Sequence, residues 1–167
     1  MLKKFDPLLP EWLHRRVLEQ VTSTAIDWHF PGNGIDINKS CFMKKTYDAE
    51  QNYADWSNCD SVIYALNYWI DANKDWFEFR GLNRCILNFY APEQDIGWHI
   101  DNERSNLYTL IYYVNEADGG TDTLEGPVLH KENAGILIPS NESHRPIPST
   151  VPRRLSIAWI IEGNIYV

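Results

Sequence analysis

Nowhere in this chain do more than two basic residues stand together. Lys3-Lys4, Arg15-Arg16, Lys44-Lys45 and Arg153-Arg154 are its clusters, and 15 Lys and Arg face 23 Asp and Glu for a net charge of −8. Binding to nucleic acid rests largely on phosphates neutralised by such groups. The balance therefore opposes general adhesion to phosphate backbones or anionic membrane, and leaves only local patches to override it. Lys44-Lys45 stands in a loop-rich segment that could flank a cleft. Cysteine is scarce: Cys41, Cys59 and Cys85 are odd in number and lack C-x-x-C spacing. With no signal-peptide pattern after Met1, they read as reduced thiols of a cytoplasmic protein. No apolar run is long enough to cross a membrane. Internal repeats and low-complexity tracts are absent too.

What is present fits one domain over residues 1–167. A chain of this length can bury roughly 70% of its unfolded surface, and 7 Trp, 9 Tyr and 6 Phe supply large core or cleft-lining groups. Pro10 suits a first helical turn, and Trp12, Leu13, Arg16, Val17 and Gln20 predict a helix from about Pro10 to Ser23. In residues 26–57, Pro31-Gly32-Asn33-Gly34 is turn chemistry and Cys41-Phe42-Met43 is a candidate short strand. Tyr47 to Trp56 is expected as a charged loop that surrounds something outside the core. Asn58 or Asp60 is expected to cap a second helix carrying Val62, Ile63, Leu66, Trp69 and Ile70, which fades near Asn73. After Gly81 the character changes. Strand-like runs at Cys85–Tyr90, Trp98–Asp101, Leu107–Asn115, Thr121–Leu124, Gly126–His130, Gly135–Pro139 and Arg154–Ile161 follow one another closely. Many short strands after leading helices predict a mainly β jelly roll or barrel-like sandwich, with the helices covering one sheet.

The stretch Cys85–Glu103 carries the chemistry. Ile86, Asn88 and Tyr90 alternate onto one face, Leu87 and Phe89 onto the other, and Pro92 ends the run. Past a polar loop, period two puts His99 and Asp101 on one face, where an imidazole and a carboxylate can grip one metal ion. A third ligand is needed. His14 on a helix, His29 beside Pro31-Gly32 and His130 among charged residues are poorer candidates than His144, which lies between two strand-like runs. Two His and one carboxylate form the facial triad of non-haem Fe(II) oxygenases. Taken singly, each residue has a plainer reading: an exposed His, a turn acid, a solvated loop His144, an outward Arg154 beside Arg153. Order and spacing make the combination specific.

At these residues the sequence resembles the Fe(II)/2-oxoglutarate-dependent oxygenases, over about residues 80 to 162. Asn88-Phe-Tyr90 and Asp95-Ile-Gly97-Trp98-His99-Ile-Asp101-Asn-Glu103 look like the AlkB-type nucleic-acid dealkylases. Thr109-Leu-Ile-Tyr112-Tyr113-Val-Asn115 and Gly119-Gly120-Thr121 look like the prolyl-hydroxylase branch. His144 and Arg154-Leu-Ser156 fit the distal His and the R-x-S strand. The resemblance implies a double-stranded β-helix core at about 81–162 with helical support at about 1–80. It implies Fe(II) held by His99, Asp101 and His144, and 2-oxoglutarate with its far carboxylate on Arg154. Ser156 shares the face of Arg154, which favours Arg154 over Arg153. Asn88, Tyr90 and, less directly, Tyr113 would add hydrogen bonds. O2 would complete the reaction, with ascorbate a candidate accessory. The expected function is a dioxygenase that hydroxylates a C–H bond of a peptide, amino acid or other small substrate, releasing succinate and CO2. An AlkB-type dealkylase of nucleic acid is the alternative, and a non-catalytic metal-binding jelly roll the second. Ile160 and Glu93 depart from the AlkB-type pattern, which has Arg and Gly at those places.

Overall fold

The computed structural model describes residues 2–29 and 41–166. In chain order its elements are β1 (Lys3–Phe5), α1 (Glu11–Thr22), β2 (Phe42–Asp48), β3 (Tyr53–Ala54), α2 (Asp60–Asn73), β4 (Phe77–Tyr90), β5 (Leu107–Tyr113), β6 (Gly120–Thr123), β7 (Gly126–Leu129), β8 (Gly135–Pro139), β9 (His144–Ile147) and β10 (Arg154–Ile165). The expected turn at Pro31–Gly34 lies outside the described residues.

The strands pair antiparallel into a large sheet, β1-β8-β5-β10-β4-β2-β3, and a small one, β7-β6-β9. Alternation along β10 explains the layering. Leu155, Ile157, Trp159 and Ile161 join the core that α1 and α2 cover, together with Cys85, Leu87, Leu110, Tyr112 and Leu137. A side chain of this size contributes roughly 1.5–3 kcal/mol when fully buried. The opposite face of the large sheet turns toward the small sheet. Ile111, Tyr113, Ile136 and Ile138 pack there with Val128 of β7. This is the jelly-roll core that the succession of strands predicts, with helices on one face of one sheet.

Both helices form where the apolar spacing predicts. Leu13, His14, Val17 and Val21 are the buried residues of α1; Val62, Ala65, Leu66 and Trp69 lead those of α2. The capping differs from expectation. Cys59, not Asn58 or Asp60, precedes α2, and it makes no side-chain cap bond. Asn58 instead donates to the Ala25 carbonyl. Gln20 of α1 supplies the cap from a distance: its Oε1 accepts from the Ser61 N–H at 2.9 Å and from the Ser61 hydroxyl. An orphan donor at a helix start takes any acceptor within reach, and helix–helix docking brought this one.

Three other expectations change. The Tyr47–Trp56 stretch is not a loop around a cleft; it ends β2, turns and forms β3, and Tyr47 stacks on Trp56 against the core. Lys44 is 2% exposed, its ammonium paired with Asp27 at 2.5 Å and Asp55 at 2.9 Å, while Lys45 pairs with Asp48. This pair therefore forms no free basic patch. The sheet also extends past residues 81–162: β1 and β2 join it from the first half of the chain, β4 starts at Phe77, and β10 runs to Ile165. Among the described residues no helix is long and apolar enough to cross a membrane.

Candidate active site

Between the sheets opens a cavity bordered by Asn88, Tyr90, His99, Asp101, His144, Arg154 and Ser156. All seven predicted site residues therefore meet in one place. Thr109, Ile111, Tyr113, Thr121, Pro146 and Ala158 complete the wall.

The Trp98–Asp101 run is not a strand. It is a single bridge, His99 opposite His144, closed by His99 N–H to His144 O at 2.9 Å and the return bond at 3.0 Å. Gly97 takes a positive φ of 78° in the turn before it, a conformation costly to any residue with a Cβ. His144 is not a solvated loop residue either. It starts β9 and is 4% exposed, because pairing with β6 draws it into the small sheet.

Each imidazole is fixed by a backbone carbonyl. His99 Nδ1 lies 3.1 Å from Gly97 O, and His144 Nδ1 lies 3.0 Å from Glu142 O. A carbonyl can only accept, so each Nδ1 carries a proton, and in the neutral imidazole it is Nε2 that keeps the lone pair a metal needs. Those Nε2 atoms face Asp101: His144 Nε2 is 3.5 Å from Oδ2 and His99 Nε2 is 4.0 Å from Oδ1. One ligand atom from each residue falls within 4.8 Å of the others, a set that could hold a metal ion.

The floor of the cavity follows from strand register. Arg154 stands opposite Tyr90 and Ser156 opposite Asn88 across β10 and β4; Ser156 also faces Tyr113 of β5. Arg154 is 3% exposed, and its NH1 donates to Gly120 O at 3.2 Å and to Ile147 O. No carboxylate of the described residues forms an ion pair with it. A buried guanidinium left without an anion is costly, and the cavity is where one would fit. Arg153, one place away, is exposed. Burial pushes the Tyr113 hydroxyl up to about 12 and the Tyr90 hydroxyl higher still, so both keep their protons. Tyr113 donates to Thr121. Burial likewise pushes the Cys41 thiol up to about 11; it donates to Asn88 Oδ1 at 3.6 Å.

Sequence reasoning passed over several neighbours. Gly97 and Glu142 contribute through backbone carbonyls, which no residue type announces. Thr109 and Ser140, which touch Asp101, lie 8 and 39 positions from it in sequence. Thr109 did carry a signal, as the first residue of the prolyl-hydroxylase-like Thr109–Asn115 motif. Gly119 and Gly120 prove structural. A Cβ on Gly119 would lie 2.9 Å from Arg154 NH1, and one on Gly120 would lie 2.1 Å from Val128 O. Glu93, at the usual Gly place, adopts a left-handed φ of 62°.

No protein-family model matches the sequence, and no curated protein does. Solved structures do match. A 2OG-Fe(II) oxygenase family oxidoreductase from Burkholderia pseudomallei superposes with a TM-score of 0.70 at 13% identity, over 96% of this chain and 85% of that one. A Pseudomonas putida prolyl-4-hydroxylase gives 0.67 at 19%, over 96% and 91%. A Trichoplax adhaerens prolyl hydroxylase, in complex with a hypoxia inducible factor oxygen degradation domain peptide fragment, gives 0.65 at 14%, over 96% and 83%. The chain has the double-stranded β-helix fold of the 2-oxoglutarate/Fe(II) oxygenases.

Proposed function

We propose that this protein is an Fe(II)- and 2-oxoglutarate-dependent dioxygenase that hydroxylates a C–H bond of a peptide or amino-acid substrate. One observation carries the reading: a buried Arg154, without a carboxylate partner among the described residues, shares a cavity with two histidines whose Nε2 atoms converge on Asp101. The donor set fits Fe(II), since two imidazoles and a carboxylate leave open positions. The floor fits a dicarboxylate, since a planar guanidinium pairs with carboxylate through two N–H groups.

His99, Asp101 and His144 would hold the iron, each deprotonated at its ligating atom. Arg154 and Ser156 would bind the far carboxylate of 2-oxoglutarate, with Tyr90 and Asn88 beside it. When bound, iron and 2-oxoglutarate supply the oxidation: O2 is consumed, 2-oxoglutarate leaves as succinate and CO2, and one oxygen atom enters the substrate C–H bond. The protein's part is orientation. The Gly97 and Glu142 carbonyls keep the imidazole protons off Nε2. Ile111, Tyr113 and Ala158 wall the cavity against water, which strengthens every polar contact inside.

Peptide or amino acid is preferred over nucleic acid on charge. A net charge of −8 opposes a phosphate backbone as partner, and the buried, paired Lys44 is not offered to one. Ile160 lies on the strand face of Arg154 and Ser156, where an AlkB-type site would carry another Arg. The fold likeness to prolyl hydroxylases, one holding a peptide, supports the same choice.

Succinate release measured against proline-containing peptides, free amino acids and methylated oligonucleotides tests this. Stimulation by a peptide or amino acid is expected. Stimulation by oligonucleotides alone replaces the reading with the dealkylase, and metal and 2-oxoglutarate binding without any turnover replaces it with a recognition module.

A further inference from the structure

Asp101 is held by two residues that have no ligand chemistry of their own. Thr109 of β5 places Oγ1 2.7 Å from Asp101 Oδ2, where the carboxylate can only accept. The single hydroxyl hydrogen of Thr109 is spent there. The 2.9 Å contact between Thr109 Oγ1 and Ser140 Oγ must then run from Ser140 to Thr109. Ser140 also holds the main chain beneath the carboxylate. Its carbonyl accepts from Asp101 N–H at 2.9 Å and from Asn102 N–H at 3.1 Å. Thr109 and Ser140 are each 0% exposed, so no water competes for either hydroxyl.

We propose that Thr109, backed by Ser140, is a positioning residue that fixes the rotation of the Asp101 carboxylate before the metal arrives. A carboxylate on a bridge segment would otherwise turn freely about its last bond and lose that freedom each time metal binds. The relay runs one way, Ser140 to Thr109 to Asp101; β5 carries Thr109, and Ser140 directly follows the last residue of β8. Strand pairing places Thr109 opposite Ile138, two residues before Ser140. The β5–β8 ladder therefore sets the position of the donor, and the donor sets the ligand. This inference rests on the reading that His99, Asp101 and His144 bind metal.

Hydroxyls that merely satisfied each other in the core would affect stability and leave metal affinity alone. The test is a Co(II) titration of the metal-free full chain, without 2-oxoglutarate, followed by the visible ligand-field spectrum, with the thermal midpoint of the metal-free form measured beside it. Thr109→Val keeps the shape and removes the hydroxyl; Thr109→Ser keeps the hydroxyl. Thr109→Val is expected to weaken Co(II) binding about 10- to 100-fold and to alter the spectrum, with Thr109→Ser restoring both. Ser140→Ala, which removes only the relayed hydrogen, is expected to weaken binding less. Wild-type affinity and spectrum in Thr109→Val, or no rescue by Thr109→Ser, overturns the proposal. Should Thr109→Val not fold, Ser140→Ala decides: a shifted spectrum with weaker binding supports the relay, and wild-type binding overturns it. Failure of the unsubstituted chain to bind Co(II) strikes the metal site itself, an outcome distinct from any failure confined to the variants.

Discussion

Arg154 stands directly opposite Tyr90 in the ladder between β10 and β4, and its guanidinium carbon lies 4.1 Å from the centre of the Tyr90 ring. A cation over an aromatic face is stabilised without using an N–H donor. The ring can therefore support the charge from below while the edge of the fork stays available for a carboxylate.

Arg154→Ala should raise the apparent 2-oxoglutarate requirement steeply, by the equivalent of roughly 2–5 kcal/mol, because it strips the charge partner from a buried carboxylate. Arg153→Ala, at an exposed position just before β10, should change it little. Succinate release as a function of 2-oxoglutarate concentration checks both. The reverse order would put the strand one residue out of register.

His99→Ala, Asp101→Ala and His144→Ala should each abolish 2-oxoglutarate decarboxylation while circular dichroism stays native, since the ligands lie at the rim of a cavity and not in the helix-covered core. Asp101→Glu should fail too: one extra methylene moves the carboxylate by more than the tolerance of a metal bond, about 0.2 Å. Turnover at the wild-type rate in His144→Ala would remove it from the ligand set.

Gly120→Ala should destabilise the fold by about 2–4 kcal/mol, read as a lower thermal midpoint. Its Cβ would meet the Val128 carbonyl at 2.1 Å, and a φ of 149° is one that alanine rarely adopts. Gly119→Ala should lower the thermal midpoint too, since its Cβ would meet the Ile147 carbonyl at 2.6 Å at a φ of 82°, and should also raise the 2-oxoglutarate requirement by crowding the Arg154 guanidinium. Wild-type stability in Gly120→Ala would contradict the packing described here.

His130 makes a pH prediction. Burial pushes its pKa down to about 4; Nε2 donates to Asn115 O at 2.7 Å, and Nδ1 is buried without a hydrogen-bond partner among the described residues. The fold thus keeps this His neutral while the unfolded chain protonates it near pH 6.5. Between those values the unfolded state binds the extra proton, so stability rises with pH and is lost as pH falls from about 6.5 to about 4. The loss should reach about 3 kcal/mol at the acid end. His130→Gln, which retains a donor for Asn115, should flatten that part of the pH profile measured by denaturant unfolding. An unchanged slope would show that His130 does not set it.

Much of this was legible along the chain because it is periodic. Alternation in Cys85–Tyr90 already put Asn88 and Tyr90 together, and alternation in Arg154–Ile161 already paired Arg154 with Ser156 and set Arg153 apart. Helical spacing located α1 and α2 to within a residue or two. Readings failed where a contact came from elsewhere. The α2 cap is Gln20, about forty positions upstream. The Lys44-Lys45 pair looked like surface charge until β2 pairing carried Lys44 inward to Asp27 and Asp55.

The sequence by itself determined the faces of strands and helices, and with them the chemical inventory: two histidines, a carboxylate and an arginine in an order that suits a metal and a dicarboxylate. Local sterics and hydrophobic period act between near neighbours, so they can be read from one chain. The tertiary structure alone decided that His144 lies 3.5 Å from Asp101 across a bridge of backbone bonds, and that Gly97 and Glu142 carbonyls turn both Nε2 atoms toward it. It alone put Thr109 and Ser140 beneath the carboxylate. Those relationships depend on the ladder register and, for Gly97 and Glu142, on backbone groups that every residue carries alike; the Thr109–Asn115 motif marked Thr109 but not its contact with Asp101.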